Sequence, residues 1–218
     1  MPDCAVIFDM DGVLVDSYRA HLESWQIVAA HHGVAMTEEQ FAHTFGQTSR
    51  EIIPNLWPGR FTQDDVRVFD REKEAAYRAI LARDFPAMDG APELIRALHD
   101  AGFRLAIGSS GPAENVAAVR PYLPGGQLIQ ATVDGGQVRQ GKPAPDIFLK
   151  AAAELLVPPA RCAVIEDAPV GLEAARRAGM AAIALTGTAP REKLAAGARL
   201  VVESLRELTP AGIEALLA

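Results

Sequence analysis

The most constraining feature of the sequence is an apolar run, Cys4-Ala5-Val6-Ile7-Phe8, that ends in two aspartates one residue apart. Such a run predicts a buried strand with acidic side chains at its tip. Because side chains alternate along a strand, Asp9 and Asp11 are expected to lean to one side while Met10 points away. Two close carboxylates repel each other, so one keeps a proton or a hard cation such as Mg²⁺ lies between them. Gly12 then lets the backbone turn or approach a ligand closely.

A simple turn is the alternative interpretation of this Asp-Met-Asp-Gly segment, because aspartate and glycine are common turn residues. The segment alone does not decide between a turn and a metal site. Further polar side chains at other strand ends would favour the site.

Length and composition bound the class of protein. The chain has 218 residues, of which 49% are hydrophobic, enough for one sizeable core or a core with a small second domain. The formal net charge is -7 and there is no block of Lys or Arg, which argues against a nucleic-acid partner. No apolar stretch reaches the roughly 18 residues that span a bilayer, and no basic segment precedes the first apolar run. We therefore expect a soluble cytoplasmic protein with no membrane partner.

The two cysteines, Cys4 and Cys162, each open the same tetrapeptide, Cys-Ala-Val-Ile. If the two segments are strands that lie side by side and in register, the thiols could be neighbours. Because the chain shows no even-numbered cysteine framework of a secreted scaffold, we predict reduced thiols in the core.

Residues 17–85 carry helical signals only. Capping residues precede amphipathic stretches four times, and proline or glycine punctuates their ends. The four helices are predicted to start at Asp16-Ser17, Thr37, Ser49 and Thr62, and to end near His32, His43, Pro54 or Pro58, and Arg83. We interpret this segment as a helical cap domain inserted into the chain.

The hydrophobic pattern of the sequence changes at Pro86, where short apolar segments begin to alternate with amphipathic helices. This alternation predicts an α/β fold with a doubly wound, mostly parallel sheet that is covered on both faces, built from residues 1–16 and 86–218. Ligands bind such sheets beyond the carboxyl ends of the strands, where the strand order reverses. The predicted strands after the first are 103–108, 128–133, 162–166, 181–185 and 199–202, and the predicted helices are 90–101, 112–121, 144–156 and 169–178.

Polar residues follow the predicted strands or precede helices at four places. Taken singly, each has an ordinary explanation: a serine caps a helix, a lysine is a solvated charge, and acids favour a helix N-terminus. Their joint placement at one edge of one sheet instead favours a common site. The four places are Asp9/Asp11, Ser109/Ser110, Lys142 and Glu166/Asp167.

Carboxylates, a lysine and a hydroxyl at one site describe a metal-assisted phosphoryl-transfer centre. The carboxylates hold Mg²⁺, and the lysine helps to neutralise the phosphoryl oxygens. The glycine-rich motifs of P-loop and dinucleotide-binding proteins do not occur in the sequence. An aspartate must therefore be considered as the nucleophile itself.

Over essentially its whole length the chain resembles the haloacid dehalogenase superfamily, which shares a Rossmann-like core. The order and spacing of four segments carry this resemblance, since each of them alone is common. The segments are Asp9-Met10-Asp11-Gly12, Ile107-Gly108-Ser109, Gly141-Lys142-Pro143 and Glu166-Asp167.

The resemblance implies a role for each matching residue. Asp9 would attack phosphorus and form an aspartyl-phosphate, and Asp11 would be the general acid and base, which points to a phosphatase or phosphomutase. Ser109 and Lys142 would hold the phosphoryl oxygens. Mg²⁺ would be bound by Asp9, Asp167 and the backbone carbonyl of Asp11, with Glu166 nearby.

The helical segment resembles the small cap of the beta-phosphoglucomutase and phosphoglycolate phosphatase branch. This resemblance implies that His21 and Arg50 contact substrate or gate the acid, and that Lys73 matches a cap lysine. Packing for His21, a local acid such as Glu51 for Arg50, and a solvated face for Lys73 are the ordinary alternatives. The expected substrate contacts are Gly12, His21, Arg50, Lys73 and Ser110.

One departure from the mutase pattern is Gly46, which stands where the mutase carries a lysine. The missing cation weakens the case for binding a second phosphate. We therefore expect a Mg²⁺-dependent phosphatase that hydrolyses a small phosphorylated metabolite, of the sugar phosphate or phosphoglycolate type, and we expect the protein to be a monomer. A hexose phosphomutase is the nearest alternative in mechanism. A catalytically silent sensor of phosphate ligands is the alternative from a different class.

Overall fold

The computed structural model describes residues 3–44 and 47–217. Contacts divide the chain into two compact units. One, the sheet unit, comprises Met1–Asp16 and Phe85–Ala218, and the other, the helical unit, comprises Ser17–Asp84. None of the helices in the described ranges is long and apolar enough to cross a membrane.

The sheet unit is built on parallel strands. They are β1 (Ala5–Phe8), β2 (Arg104–Gly108), β3 (Ala131–Val133), β4 (Cys162–Glu166), β5 (Ala181–Leu185) and β6 (Leu200–Val202). Their order is β3-β2-β1-β4-β5-β6, so the direction of winding reverses at β1. All residues of β1, β4 and β5 are buried, as expected for a parallel sheet covered on both faces. The predicted doubly wound sheet is confirmed.

The helices follow the predicted plan closely. The helical unit contains α1 (Tyr18–His31), α2 (Glu38–Thr44), α3 (Ser49–Leu56) and α4 (Gln63–Arg83). The sheet unit contains α5 (Ala91–Asp100), α6 (Ala113–Tyr122), α7 (Asp146–Glu154), α8 (Pro169–Arg177), α9 (Arg191–Ala195) and α10 (Pro210–Leu216). The last two were not predicted, because they are short and, unlike the equally short α2, have no capping box to mark where they begin.

The helical unit has an apolar core of its own. Trp25 of α1 packs on Phe69 of α4 with ring centroids 5.5 Å apart, and Phe41 and Ile53 add the contributions of α2 and α3. These side chains are all buried. Each helix therefore contributes to one core, which explains why a segment of this length forms a compact unit.

The repeated tetrapeptides do lie on adjacent strands, but they are out of register by one residue. Ala5, not Cys4, is the partner of Cys162. Because side chains alternate, this offset places the two thiols on opposite faces of the sheet. The in-register arrangement that would make them neighbours does not occur. Both cysteines are buried and free, as predicted.

The predicted helix starts in the helical unit are confirmed, but one of the predicted capping residues makes no capping bond. Thr37 and Gln40 bond reciprocally at the start of α2, and Thr62 and Asp65 do so at the start of α4. Ser17 precedes α1, but its hydroxyl makes no capping bond. The reason is that its backbone is already helical, with φ -84° and ψ -9°, whereas a capping side chain works from extended backbone.

Of the two ends predicted for α3, the one at Pro58 is correct, because the helix includes Pro54 and ends at Leu56. One strand boundary differs from the expectation. The strand predicted at 128–133 begins only at Ala131, because Gly126–Leu128 forms a turn of 3₁₀ helix. This difference moves no candidate site residue to another element.

Candidate active site

The carboxyl ends of β1 and β4 bring three acidic side chains together. Asp9 directly follows β1, and its N–H donates to the carbonyl of Ile165 at 2.9 Å, which fixes it beside β4. Glu166 is the last residue of β4 and Asp167 follows it. One carboxylate oxygen from each acid lies within 4.8 Å of the other two, and all three side chains are buried.

Lys142 bridges two of these acids. It lies between β3 and α7, and its Nζ is 2.5 Å from Asp9 Oδ1 and 2.7 Å from Glu166 Oε1. The ammonium also lies 4.9 Å from the centre of the Phe148 ring. Its side chain is only 6% exposed, so the solvated surface charge that a lone lysine suggests is ruled out. These contacts join the segment Gly141-Lys142-Pro143 to the two segments that contain Asp9 and Glu166.

Burial and charge set the protonation of this cluster. Burial raises the pKa of Asp9 well above its ordinary value, and the Lys142 ammonium opposes that shift. Burial would lower the pKa of Lys142, but the carboxylates of Asp9 and Glu166 outweigh it and raise that pKa. Burial and the charge of Glu166 also raise the pKa of Asp167 to about 7. One ammonium faces three carboxyl groups, an imbalance that a bound cation would relieve.

Glu166 is oriented by the backbone that follows it. Its Oε2 accepts the N–H groups of Asp167 and Ala168, each at 2.8 Å. A Cβ at Gly171 would lie 1.7 Å from Glu166 Oε1, so only glycine leaves room for the side chain there. Gly171 was not singled out in the sequence. Its place in the first turn of α8, just after the fourth segment, was the available signal.

Gly12 has a similar role toward Asp167. Its φ is +78°, a conformation that L residues rarely adopt, and a Cβ there would lie 2.0 Å from Asp167 Oδ2. The glycine is therefore required both by the turn and by the close approach of the carboxylate. Its predicted contact with substrate stays a prediction.

Asp11 does not join the carboxylate cluster. The chain turns after Asp9, with the Leu14 N–H donating to the Met10 carbonyl at 2.9 Å and the Gly12 N–H donating to the Val15 carbonyl at 2.8 Å. The extended strand geometry, with its alternating side chains, therefore does not continue from Asp9 to Asp11. The expectation that the side chains of Asp9 and Asp11 lean to one side stays a prediction. The backbone carbonyl of Asp11 as a metal ligand stays a prediction.

Ser109 and Ser110 follow β2, the neighbour of β1. Ser109 is buried, its N–H donates to the Val133 carbonyl at 3.0 Å, and its hydroxyl accepts the Gly111 N–H at 3.0 Å. Ser110 is exposed. Both lie at the carboxyl edge of the sheet, as predicted, and Ser109 is held in place by its backbone.

Thr188, in the segment after β5, was missed in the sequence. Its hydroxyl donates to Asp167 Oδ2. This hydrogen bond lowers the pKa of Asp167, against the larger effect of burial. Its position just beyond another strand end, in Thr186-Gly187-Thr188, was the signal that could have identified it.

In the helical unit, two of the predicted cap residues contact each other. Lys73 Nζ lies 3.0 Å from His21 Nδ1 and 2.8 Å from Glu74 Oε1, and the His21 ring stacks on Tyr77 at 4.0 Å. Lys73 is only 5% exposed, so a solvated face does not explain it. These contacts place His21 and Lys73 in one polar cluster.

Arg50 is exposed in the first turn of α3. Glu51, the local acid that could have paired with it, instead accepts the N–H and hydroxyl of Thr48 at 2.9 and 2.8 Å. These bonds lower the pKa of Glu51. Gly46 lies outside the described residues.

The sheet-unit cluster fits a hard divalent cation. Its donors are oxygen atoms of three buried carboxyl groups, the ligands that Mg²⁺ prefers. Asp9, Asp167 and Glu166 are the side chains that could hold the ion, as predicted from the sequence.

Thr188 gives a test of the site that needs no metal. We expect Thr188→Val to raise the pKa of Asp167 above about 7, because the donated hydrogen bond is lost. Thr188→Ser keeps the hydroxyl and should retain the wild-type pKa. The measurement is a ¹³C NMR titration of aspartate carboxyl groups in protein treated with chelator. Equal pKa values in the Val variant and the wild type would contradict this role.

Comparisons with known proteins agree with this geometry. The family model of the haloacid dehalogenase-like hydrolases matches residues 5–179. Hexitol phosphatase A of Escherichia coli is 33% identical over 203 residues, which cover 93% of this chain and 92% of that protein. Beta-phosphoglucomutase of Bacillus subtilis is 30% identical over 212 residues, which cover 94% and 91%.

The fold also matches a solved structure of the same family. CbbY from Rhodobacter sphaeroides, in complex with xylulose 1,5-bisphosphate, superposes with a TM-score of 0.85 at 27% identity, over 98% of this chain and 100% of that one. The sequence, the strand order and the four clustered segments thus lead to the same assignment. The chain belongs to the haloacid dehalogenase-like hydrolases, as an enzyme of their phosphatase and phosphomutase branch.

Proposed function

We propose that the protein is a Mg²⁺-dependent phosphatase of phosphorylated sugars that works through an aspartyl-phosphate on Asp9. The observation that carries the proposal is the buried bridge of Lys142 between Asp9 and Glu166, beside Asp167. A carboxylate held by an ammonium and facing two further acids is suited to attack phosphorus once a cation neutralises the site.

In the first step, a carboxylate oxygen of Asp9 bonds to phosphorus while the bond from phosphorus to the sugar oxygen breaks. Asp11 gives a proton to the departing sugar oxygen. In the second step, water attacks phosphorus, Asp11 takes a proton back, and the Asp9 carboxylate is released with inorganic phosphate. The side chain of Asp11 stands outside the metal-binding cluster, which suits a group that exchanges protons.

The remaining residues of the sheet unit position these groups. Lys142 opposes the rise in the pKa of Asp9 that burial causes, and its hydrogen bond holds the Asp9 carboxylate in place. Ser109 and its backbone fix the strand end that would face the phosphoryl oxygens. Mg²⁺, held by Asp9, Asp167 and the Asp11 carbonyl with Glu166 nearby, would supply positive charge for the phosphoryl group. Gly12 and Thr188 keep Asp167 in place.

The substrate class rests on the relatives. Hexitol phosphatase A and beta-phosphoglucomutase are named for phosphorylated sugars and polyols, and CbbY was solved with a sugar bisphosphate. We assign the helical unit as the cap domain that excludes water and contacts the sugar, with His21, Lys73 and Arg50 as its contacts. A phosphomutase is the second candidate, favoured by the similarity to beta-phosphoglucomutase over nearly the whole chain.

The nucleophile is tested by Asp9→Asn. We expect phosphate release from fructose 1-phosphate to fall by at least about a thousandfold, because an amide does not form the acyl-phosphate. The matched control is Asp134→Asn, the same change at another buried aspartate beyond a strand end, where Oδ1 accepts the Gly136 N–H. The control should keep activity within about threefold. The asparagine oxygen preserves the bond from Gly136, and the Gln137 amide, which donates to Oδ2 at 2.8 Å, can turn its own oxygen toward the new NH2 group. Steady turnover by a folded Asp9→Asn protein would refute the assignment.

Metal binding should depend on pH in a defined direction. The pKa of Asp167 is about 7 in the folded protein and near its ordinary value of 3.8 in the unfolded chain. The folded state therefore binds more protons between about pH 4 and pH 7, and the stability of metal-free protein falls as pH rises through that window. Above about pH 7 the carboxylates of the cluster are ionised and repel one another. We therefore expect Mg²⁺ to raise the unfolding temperature more at pH 8 than at pH 5.5.

The measurement is the unfolding temperature in chelator and in Mg²⁺ at both pH values. Asp167→Asn removes the titrating carboxyl group and should abolish most of the difference between them. An equal effect of Mg²⁺ at both pH values in the wild type would contradict the expectation.

The two candidate functions, hydrolysis by a phosphatase and phosphoryl transfer between hydroxyls by a mutase, give different products. A mutase must keep its bisphosphate intermediate bound until it has turned around. In this chain Gly46 replaces one cation of the mutase pattern, which removes a contact worth roughly 1.5 to 3 kcal/mol of binding free energy. The bisphosphate would then stay bound for about ten- to a hundredfold less time. With β-glucose 1-phosphate and a bisphosphate primer, we expect free phosphate to exceed glucose 6-phosphate. Stoichiometric glucose 6-phosphate with negligible phosphate would establish the mutase instead.

A further inference from the structure

The loops that follow β2 and β3 are hydrogen-bonded to each other. We call Ser109-Ser110-Gly111, the loop after β2, the serine loop. The Ser109 N–H donates to the carbonyl of Val133, the last residue of β3, at 3.0 Å. The Gly135 N–H donates to the Gly111 carbonyl at 3.1 Å. The position of the serine loop is therefore set from β3 as well as from its own strand.

Gly135 lies closer to the serine loop than a residue with a side chain could. A Cβ at this position would lie 2.5 Å from the carbonyl oxygen of Ser110, a backbone atom that cannot turn aside as a flexible side chain can. The φ of Gly135 is not positive, so the backbone itself would accept an L residue. The contact with the Ser110 carbonyl is therefore what restricts this position to glycine.

The peptide group between Ser110 and Gly111 connects this contact to the Ser109 hydroxyl. The carbonyl of that peptide faces Gly135, and its N–H, which belongs to Gly111, donates to Ser109 Oγ at 3.0 Å. Because a peptide group is planar and stiff, a displacement of its carbonyl also displaces its N–H. Gly135 therefore fixes the hydrogen bond at the opposite edge of the same peptide plane.

The hydrogen bond from Gly111 determines what the Ser109 hydroxyl can offer to a ligand. A serine hydroxyl donates one proton and accepts through its lone pairs. In this loop the Gly111 N–H occupies one lone pair, so the hydroxyl proton is directed away from that N–H. The ionised oxygens of a phosphoryl group act as acceptors and form strong hydrogen bonds with such a donor.

We propose that Gly135 is a positioning residue of the phosphoryl site, which holds the peptide between Ser110 and Gly111 so that the Ser109 hydroxyl donates to a phosphoryl oxygen. This inference rests on the proposed function, in which Ser109 contacts the phosphoryl group. Gly135 itself touches no substrate atom, and its influence passes through Ser109.

The test is a double-mutant cycle on Gly135 and Ser109. Binding of inorganic phosphate in the presence of Mg²⁺ is measured by ³¹P NMR titration for Gly135→Ala, Ser109→Ala and the double variant. We expect Gly135→Ala to weaken phosphate binding about tenfold, as for the loss of one hydrogen bond to a charged group. In the Ser109→Ala background the same change should weaken binding less than about twofold, because the hydroxyl that Gly135 positions is already absent.

Two comparisons separate positioning from general disruption. The Mg²⁺ affinity of Gly135→Ala, measured by calorimetry without phosphate, should stay within about twofold of wild type, since the serine loop supplies none of the three clustered carboxyl groups. The matched control is Gly136→Ala, the same change at the next residue. A Cβ there would meet only Oδ1 of the Asp134 side chain, at 3.1 Å. The control should bind phosphate within about twofold of wild type.

Unchanged phosphate binding in Gly135→Ala would overturn the proposal. An equal loss with and without the Ser109 hydroxyl would also overturn it, because Gly135 would then act on the fold, and so would a comparable loss of Mg²⁺ affinity. Failure of the proposed function would be seen separately, as absence of phosphate release from fructose 1-phosphate by the wild type.

A second measurement applies if Gly135→Ala does not fold. The exchange rate of the Gly111 amide hydrogen is then compared in wild-type protein and in Ser109→Ala. Protection that disappears in Ser109→Ala would support the link through the peptide. Unprotected exchange in the wild type, or protection that persists in the variant, would overturn it.

Discussion

The candidate site depends on one buried ion pair, in which Lys142 lies between Asp9 and Glu166. Taking three carboxyl groups out of water is costly, because burial disfavours the charged form of a carboxyl group. The ammonium reduces that cost for two of them at 2.5 and 2.7 Å. Removing one partner of a buried pair costs roughly 3 to 5 kcal/mol, since the other charge is left uncompensated. The position of Lys142 therefore supports both the fold of this edge and its chemistry.

The sheet topology makes that ion pair possible. β1 lies between β2 and β4, so the residues that follow these three parallel strands meet at one edge. The segment before α7 then carries Lys142 to the same place. Two glycines complete the arrangement, because a Cβ at either position would collide with a carboxylate, at Gly12 with Asp167 and at Gly171 with Glu166. The charged groups are held by backbone geometry as well as by their mutual attraction.

The helical unit is organised differently, since its polar residues are arranged on helices around an independent apolar core. One group, His21, Lys73 and Glu74 with the Tyr77 ring, satisfies its charges internally. This cluster therefore suits a positioning role within the helical unit.

The sequence by itself determined the parallel sheet, the helical segment and four of the residues that form the site, because apolar runs that end in polar residues fix where strands stop. Asp9, Glu166 and Asp167 could be found in this way, and Lys142 from its place just before a predicted helix. Only the tertiary structure decided the one-residue offset of Cys4 and Cys162, the turn that removes Asp11 from the cluster, and the contacts of Thr188 and Gly171. These features arise from the register of neighbouring strands and from the approach of segments distant in the chain, and periodicity along one segment carries no information about either.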